Sequence, residues 1–229
     1  MTHEGPAPPG PDPGAPGFRR TLSFQNGPTM PNVVPIFPTA LLVSDRYLLD
    51  EAERALLTGQ SWGPNRSGNQ TSVDTYVLQD PRLAGLRDFL FAQLQYYARE
   101  VMCLPKGLRS VMTQSWVNRN EPGSSHHAHS HPNSLVSGVF FIAGDACPLV
   151  FHRDPVAGTS LSFQPTTVHA HNAQRWDVRN EPGIAVLFPS TLRHEVVDND
   201  TSTTRYSLSF NSFVSGRIGS RRKLTELVL

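Results

Sequence analysis

The chain has 229 residues, and its 20 Lys and Arg side chains stand against 19 Asp and Glu, for a formal net charge of +1. This near-neutral balance argues against a nucleic-acid or membrane-surface partner, which would call for a basic patch. No segment has the ~20 apolar residues of a membrane span, and the first residues lack the features of a signal peptide. Because the only cysteines, Cys103 and Cys147, lie outside any Cys-x-x-Cys pair, we expect a cytoplasmic protein.

Proline and glycine dominate the start of the chain. Six prolines fall within the first 17 residues, and such a stretch buries too little apolar area to offset the entropy lost on ordering. We therefore predict a disordered tail over 1–31, one folded domain over 32–216 and a basic tail over 217–229. An exposed edge strand or the Pro-rich arm is a candidate contact for a homodimer.

The folded part opens with a strand and a helix. The apolar segment 35–43 predicts the strand. Ser44 or Asp45 then has the side-chain oxygen of an N-cap, and Gly59 suits a helix end. The predicted buried face of this helix consists of Leu48, Leu49, Ala52 and Leu56.

A second helix follows a polar, turn-rich linker over 63–70, which we predict to be mobile. Asp80 suits its N-cap and Pro81 its first helical position. Apolar residues then repeat at steps of three and four, which predicts one amphipathic face. That face consists of Leu83, Leu86, Leu90, Leu94, Tyr97 and Val101.

From residue 109 onward the pattern changes to short strands separated by turns. Segments rich in β-branched and aromatic residues predict strands over 111–117, 135–142, 148–152, 184–188, 195–197 and 206–213. The tetrapeptide Asn-Glu-Pro-Gly occurs at 120–123 and at 180–183, and Pro-Gly at its centre predicts two type II hairpin turns. The segment 154–177 is predicted as a long loop or extra hairpin. The whole indicates a mainly β protein, a jelly roll or small barrel with supporting helices.

Three histidines have the spacing of a metal site. His129 and His131 are two residues apart, so on a strand they would face the same side, and His194 follows further along the chain. A non-haem iron(II) oxygenase site uses three protein ligands and leaves the remaining positions open for cosubstrate and oxygen. The second ligand is usually a carboxylate, and Asp145 and Asp154 remain alternatives to His131.

An arginine eleven residues after His194 supplies the second part of the pattern. The planar guanidinium of Arg205 can hold the free carboxylate of a metal-bound 2-oxoacid, and Ser207 shares its strand face. Asn118, Asn133 and Asn211 are candidates for hydrogen bonds to cosubstrate or substrate.

Segments 129–141, 187–194 and 205–211, together with Ser-Trp-Val-Asn at 115–118 and Ile-Phe-Pro-Thr at 36–39, resemble the 2-oxoglutarate/Fe(II)-dependent oxygenase family. The resemblance runs in the same order over about 33–214. It implies a double-stranded β-helix, with the N-terminal helices packed on the outer sheet. It also implies Fe(II), 2-oxoglutarate and O2 as cofactor and cosubstrates. By resemblance the metal ligands are His129, His131 and His194, and the cosubstrate residues are Arg205, Ser207 and Asn118.

The implied reaction is oxidation of a small organic substrate, by default hydroxylation, with release of succinate and CO2. Desaturation or ring closure remains open, and an amino acid or a biosynthetic intermediate is the default substrate class. The alternative from another class is a cupin-like three-histidine metalloenzyme, a dioxygenase or isomerase that does not use 2-oxoglutarate. In that case Leu135 stands where a cupin glutamate is expected, and Arg205 has no role.

Overall fold

The computed structural model describes residues 33–144, 147–153 and 164–229. The predicted tail over 1–31, the candidate ligands Asp145 and Asp154, and the first part of the predicted loop over 154–177 lie outside the described residues. The described chain forms two compact units. The larger consists of residues 39–104 and 110–214, and the smaller includes 33–38, 105–109 and 215–229.

The first strand is much shorter than the sequence predicts. β1 comprises only Leu42–Val43 and pairs antiparallel with a strand near residue 187. Ser44 extends this pairing, because its N–H donates to the carbonyl of Ala185 at 2.9 Å and its hydroxyl accepts the N–H of Ala185 at 2.8 Å. Proline at positions 35 and 38 supplies no backbone N–H, so the preceding segment cannot continue the ladder.

The first helix, α1, spans Glu51–Thr58, so the prediction of a start at Ser44 or Asp45 is wrong. Asp50 is the N-cap: its carboxylate accepts the N–H of Glu53 at 2.7 Å, and Glu53 accepts the N–H of Asp50 at 3.2 Å. This reciprocal capping box fixes where the helix begins. The predicted end at Gly59 is confirmed.

The predicted buried face of α1 is correct only for Leu49 and Leu56, which pack partly buried against the core. The helix buries Glu53 and Leu57, whereas Leu48 precedes it and is 81% exposed. Glu53 is retained in the interior because the hydroxyl of Tyr47 donates to its carboxylate at 2.8 Å. A buried polar group with partners is tolerated, so the apolar pattern alone misplaced the face.

The second helix agrees with the sequence. Asp80 caps a 3-10 turn, Pro81–Leu83, that leads into α2 over Ala84–Tyr96, and one π-helical turn ends it at Val101. Five of the six residues of the predicted face are buried, and Val101 is the exception at 41% exposed. The π turn accounts for this, because it breaks the 3.6-residue period at the end of the helix.

The segment between the two helices is a hairpin, so the prediction of a mobile linker over 63–70 is wrong. β2 (Trp62–Pro64) pairs antiparallel with β3 (Gln70–Ser72), and β3 pairs with the longest strand of the fold through Thr71 and Asn118. The polar composition of this segment concealed a pairing that depends on a strand more than 40 residues away.

The remaining strands follow the sequence prediction to within a few residues, with four additions, β5, β8, β12 and β13. They are β4 (Arg109–Asn120), β5 (His126–His129), β6 (Val136–Ala143), β7 (Leu149–His152), β8 (Arg175–Val178), β9 (Ala185–Pro189), β10 (His194–Val196), β11 (Arg205–Ser215), β12 (Arg217–Ile218) and β13 (Leu227–Val228).

These strands form two main antiparallel sheets. The order of the larger sheet is β1-β9-β6-β11-β4-β3-β2, and that of the smaller is β5-β10-β7-β8. The Pro-Gly turns are of the predicted kind, since the N–H of Ser124 donates to Glu121 and that of Ile184 to Glu181, with Gly123 and Gly183 at positive φ. They connect one sheet to the other, however, so the hairpin interpretation is wrong. Alternation between sheets is the connection of a jelly roll.

Alternate side chains of β6 belong to two different apolar layers, one on each face of the larger sheet. Phe140 and Ile142 pack with the leucines of α2 on the outer face of the larger sheet. Val139 and Phe141 pack with residues of β7, β9 and β10, between the two sheets. Because successive strand residues face opposite sides, one strand serves both layers. The predicted fold class, a jelly roll with a helix on its outer sheet, is confirmed.

The smaller unit holds a short hairpin near the end of the chain. β12 pairs antiparallel with β13, and Gly216 and Leu229 exchange backbone hydrogen bonds of 3.0 and 2.9 Å. The predicted basic tail over 217–229 therefore contains paired strands, in which Glu226 accepts from Arg217 and Arg221. In the part of the chain that the structure describes, no helix is long and apolar enough to cross a bilayer.

Candidate metal centre and anion pocket

A cavity lies between the two sheets of the larger unit, lined by side chains of β4, β5, β6, β7, β10 and β11. Six of the residues singled out from the sequence line it, whereas the candidates Asn133 and Asn211 do not: His129, His131, His194, Arg205, Ser207 and Asn118. Its apolar wall consists of Val139, Leu149 and Val196, with Trp116 near the histidines. The cavity thus combines a few ionisable groups with an apolar wall, as small-molecule binding sites do.

The three histidines converge. Each offers one ligand atom, and these atoms lie within 4.8 Å of one another. His129 at the end of β5 lies directly opposite His194 on β10, and their ring centroids are 4.5 Å apart. The ring of His131 lies 5.0 Å from that of His129 and 5.1 Å from that of His194.

The route by which His131 joins the group differs from the prediction. β5 ends at His129, so the two residues do not share a strand. His131 lies in the following turn, where its N–H donates to the carbonyl of Ser190 at 2.9 Å and Asn133 has a positive φ of 55°. The turn brings the ring of His131 to the cavity edge-on to that of His129, at 68°.

Backbone carbonyls fix the protonation of two of the rings. Nδ1 of His129 lies 2.7 Å from the carbonyl of His127, and Nδ1 of His194 lies 2.9 Å from that of Leu192. A carbonyl only accepts, so each Nδ1 carries the proton and each Nε2 keeps its lone pair. Burial lowers the pKa of His194 to about 3 and that of His131 to about 4, and it also lowers the pKa of His129. All three rings are therefore neutral near pH 7.

This donor set fits a first-row divalent metal. Neutral imidazoles ligate iron, zinc, copper and nickel. A hydrogen-bond acceptor at the ring nitrogen that does not bind the metal orients such a ligand, and the two carbonyls have that position here. Three ligands from one side leave the opposite positions of an octahedron open. Three imidazoles also leave the metal one unit more positive than two imidazoles and a carboxylate, which favours an anionic cosubstrate.

The guanidinium of Arg205 lies in the same cavity and forms no ion pair with the residues that the structure describes. Arg205 is 1% exposed. Its Nη1 donates to Ser207 Oγ at 3.1 Å and to Asn120 Oδ1 at 3.4 Å, while Nε and Nη2 have no hydrogen-bond partner among the described residues. Burial lowers its pKa to about 10, so it keeps its charge near pH 7. A buried charge with two unused donors is costly, and an anionic ligand would remove that cost.

Two asparagines on β4 flank this guanidinium. Asn118 donates from Nδ2 to Ser209 Oγ at 2.9 Å, which leaves its Oδ1 without a partner in the described part of the chain. Asn120 is 0% exposed, accepts from Arg205, and has a buried Nδ2 with no partner there. The sequence analysis missed Asn120 because it assigned this residue to the turn over 120–123. The strand in fact continues to Asn120, which places it on the same face as Asn118.

A fourth histidine also lines the cavity. The ring of His126 stacks on that of His129 with centroids 4.5 Å apart, and its Nε2 lies 3.3 Å from Nδ2 of Asn65 in the β2–β3 turn. Sequence analysis did not select His126, because the pairing that brings Asn65 to it is long-range. His152 instead pairs with Glu195 at 3.0 Å.

Part of the chain matches a known sequence family. Residues 114–211 match the family described as "Putative 2OG-Fe(II) oxygenase". The matched segment contains the three histidines, Asn118, Arg205 and Ser207. No curated protein sequence matches this chain.

Solved structures show the same fold at low sequence identity. HygX from Streptomyces hygroscopicus, solved with nickel, 2-oxoglutarate and hygromycin B bound, has 14% identity and a TM-score of 0.54, covering 76% of this chain and 82% of its own. An oxidoreductase of the 2OG-Fe(II) oxygenase family from Burkholderia pseudomallei has 15% identity and a TM-score of 0.51, covering 75% and 83%. The carbocyclase SnoK from nogalamycin biosynthesis has 14% identity and a TM-score of 0.52, covering 80% and 84%.

Proposed function

We propose that this chain, whose residues 114–211 match the family described as "Putative 2OG-Fe(II) oxygenase", is a dioxygenase that hydroxylates a small organic substrate. The overall reaction consumes the substrate, 2-oxoglutarate and O2, and yields the hydroxylated product, succinate and CO2. One oxygen atom of O2 enters the product and the other enters succinate, so the equation balances without a further reductant.

The observation that carries the proposal is the position of Arg205 in the cavity that also holds the three histidines. Two of its donors have no partner among the described residues. The free carboxylate of a metal-bound 2-oxoglutarate has the charge and the planar geometry to accept from both. A metalloenzyme without 2-oxoglutarate would leave this guanidinium without an anion.

His129, His131 and His194 are assigned as the residues that would hold iron(II). The bound iron with 2-oxoglutarate would supply the activation of O2, which is chemistry that protein side chains do not provide. The side chains bind and orient: Arg205 and Ser207 would donate hydrogen bonds to the distal carboxylate, with Asn118 beside them. Val139, Leu149 and Val196 line the cavity and exclude water.

The assignment of a small substrate rests on the enclosure of the cavity between two sheets and on the near-neutral chain. It is supported by HygX, a protein of similar fold that was solved with hygromycin B bound. Hydroxylation is the default outcome of the reaction class; desaturation or ring closure would use the same side chains.

Anaerobic titration tests the role of Arg205. Fe(II) is added to the protein, followed by 2-oxoglutarate or pyruvate, and the visible charge-transfer band of the chelated 2-oxoacid is recorded. We expect a band that saturates at much lower 2-oxoglutarate than pyruvate, because pyruvate lacks the distal carboxylate. In Arg205→Met this preference should disappear, whereas Arg87→Met, an exposed arginine on α2, should retain it.

Two outcomes would contradict the proposal. Bound iron without any 2-oxoacid band would favour the cupin-like alternative that does not use 2-oxoglutarate. A preference for 2-oxoglutarate that persists in Arg205→Met would mean that Arg205 does not bind the distal carboxylate.

A further inference from the structure

The smaller unit exposes far more of its large hydrophobic side chains than the larger unit does. Sixteen such side chains are exposed among the described residues, and eight of them lie in this unit, which contributes only 26 described residues. They are Val33, Val34, Ile36, Phe37, Leu224, Leu227, Val228 and Leu229, with exposed fractions from 42% to 95%. Apolar exposure at this density is typical of an interaction surface, whereas single exposed apolar residues are ordinary.

One edge of the β12–β13 hairpin is open. Gly216 and Leu229 exchange both backbone hydrogen bonds, so the adjacent pair, Arg217 and Val228, is a non-hydrogen-bonded pair. The N–H and C=O of Val228 therefore point away from β12, toward an edge that no described strand occupies. β13 also has no lysine or proline, the residues that most often protect an edge strand from pairing.

The sequence along this edge is complementary to itself. In an antiparallel pairing of two copies about a two-fold axis at Val228, that residue lies opposite the partner's Val228, and Leu227 lies opposite the partner's Leu229. Every opposed pair is then apolar, and the outward N–H and C=O groups of the two valines form the hydrogen bonds of the central pair. A closed two-fold dimer requires a self-complementary surface of this kind.

The distribution of charge also favours pairing through β13. The cations of the hairpin, Arg217, Arg221, Arg222 and Lys223, lie on β12 and the connecting turn, and Glu226 accepts from Arg217 and Arg221. None of these cations lies on β13, so two copies meet there without like charges directly opposite each other.

We propose that the smaller unit is a dimerisation surface, on which β13 of one copy pairs with β13 of a second copy of this chain. The paired strands alone are too short for a stable interface. The eight exposed apolar side chains of the unit present an area comparable with the about 800 Å² that each partner contributes to a standard interface. The proposal does not depend on the function assigned to the metal centre.

Sedimentation equilibrium of the full chain over a wide concentration range tests the proposal. We expect a reversible monomer–dimer equilibrium in the wild type. Val228→Lys brings two cations together at the centre of the pairing and should weaken dimerisation by more than about 10-fold, since opposed like charges at an interface are costly. Leu48→Lys, at an 81% exposed position of the larger unit, is the matched control and should dimerise as the wild type does.

Cross-linking locates the contact independently. In a hydrogen-bonded antiparallel pair the Cα atoms lie about 5.5 Å apart, within the reach of a disulfide. Val228→Cys in a Cys103→Ser background, which removes the exposed native thiol and leaves the buried Cys147, should form a disulfide-linked dimer. Oxidised glutathione accepts the two electrons and is released as two thiols. Leu48→Cys in the same background should stay unlinked.

A wild type that remains a monomer at every concentration would overturn the proposal. Equal dimerisation of Val228→Lys and Leu48→Lys, or a dimer without a cross-link at position 228, would mean that two copies meet elsewhere, which overturns it as well. A monomer that co-sediments with vesicles of phosphatidylcholine and phosphatidylserine would assign the surface to an anionic membrane instead of a second copy.

Discussion

His194 on β10 lies directly opposite His129 on β5, as a cross-strand pair of the smaller sheet. Their ring centroids are 4.5 Å apart, and both rings donate from Nδ1 to a carbonyl two residues earlier in the chain. The register of two strands far apart in sequence therefore places two equivalent Nε2 lone pairs side by side. The third histidine, His131, reaches them from a turn.

Removal of either member of this pair should abolish tight metal binding. We predict that His129→Ala and His194→Ala each weaken Co(II) or Fe(II) binding by more than about 100-fold, since loss of a group that only orients a ligand already costs 10–100-fold. Calorimetric titration checks this, with His169→Ala, a histidine in an exposed loop, as control. Unchanged affinity in either variant would place the metal elsewhere.

Acid should destabilise the metal-free protein. The pKa of His194 is lowered to about 3 and that of His131 to about 4, below the ordinary value of 6.5. The unfolded chain thus binds more protons than the folded chain below pH 6.5, so this stability is fully present above that pH and is lost as the pH falls towards 4. Urea unfolding at pH 7 and pH 5 measures it. The free energy of unfolding of His194→Gln should fall less between these pH values than that of the wild type. An equal fall would argue against a lowered pKa of His194.

Arg205→Met should impair cosubstrate binding without lowering the stability of the metal-free protein. Without an anion, the buried guanidinium is costly, so we expect the variant to match or exceed the wild-type free energy of unfolding, by up to about 1 kcal/mol. Added 2-oxoglutarate with metal should stabilise the wild type, by about 2.7 kcal/mol at 100 times its Kd, and should not stabilise the variant. Thermal unfolding with and without 2-oxoglutarate makes the comparison; strong destabilisation of the metal-free variant would indicate a structural role.

Asn120→Asp should weaken 2-oxoglutarate binding. The amide now accepts from Arg205 and has a buried Nδ2 without a partner in the described chain. A carboxylate there would neutralise the guanidinium and compete with the cosubstrate, costing about 1–3 kcal/mol in binding. Titration of the charge-transfer band measures this, with Asn172→Asp, at a half-buried position outside the cavity, as control. Binding of 2-oxoglutarate at the wild-type level would mean that Asn120 does not affect the interaction of the cosubstrate with Arg205.

The packing of α2 on the larger sheet gives a prediction outside the site. Leu90 is 0% exposed and belongs to the layer between α2 and the sheet, so Leu90→Ala should lower the free energy of unfolding by about 2–5 kcal/mol. Leu48→Ala, at an 81% exposed position, should change it by less than about 0.5 kcal/mol. Similar losses in both would contradict the revised face of the first helix.

Local patterns were sufficient to predict α2, most strands and the order of the histidine and arginine motifs. Asp80 and Pro81 define a helix start within three residues, and the continuous apolar run around Phe140 is typical of a strand buried on both faces. These signals are local, so one sequence reveals them.

Features that depend on distant pairing were missed. The β2–β3 hairpin needs the pairing of Thr71 with Asn118, and the start of α1 depends on Glu53, a buried polar residue that the apolar pattern does not select. His131 was placed on a strand because its spacing from His129 fits one, but the strand ends first. The contact of Asn211 with His131 spans 80 residues and has no local signature.

A crystal structure grown anaerobically with Fe(II) and 2-oxoglutarate, with iron located by its anomalous scattering, tests the central claim most directly. We predict iron at about 2.0–2.2 Å from Nε2 of His129, His131 and His194, by analogy with other metal–imidazole bonds. The free carboxylate of 2-oxoglutarate should accept from Nε and Nη2 of Arg205. Iron bound away from the three rings, or a cosubstrate that leaves Arg205 without an anion, would contradict the account.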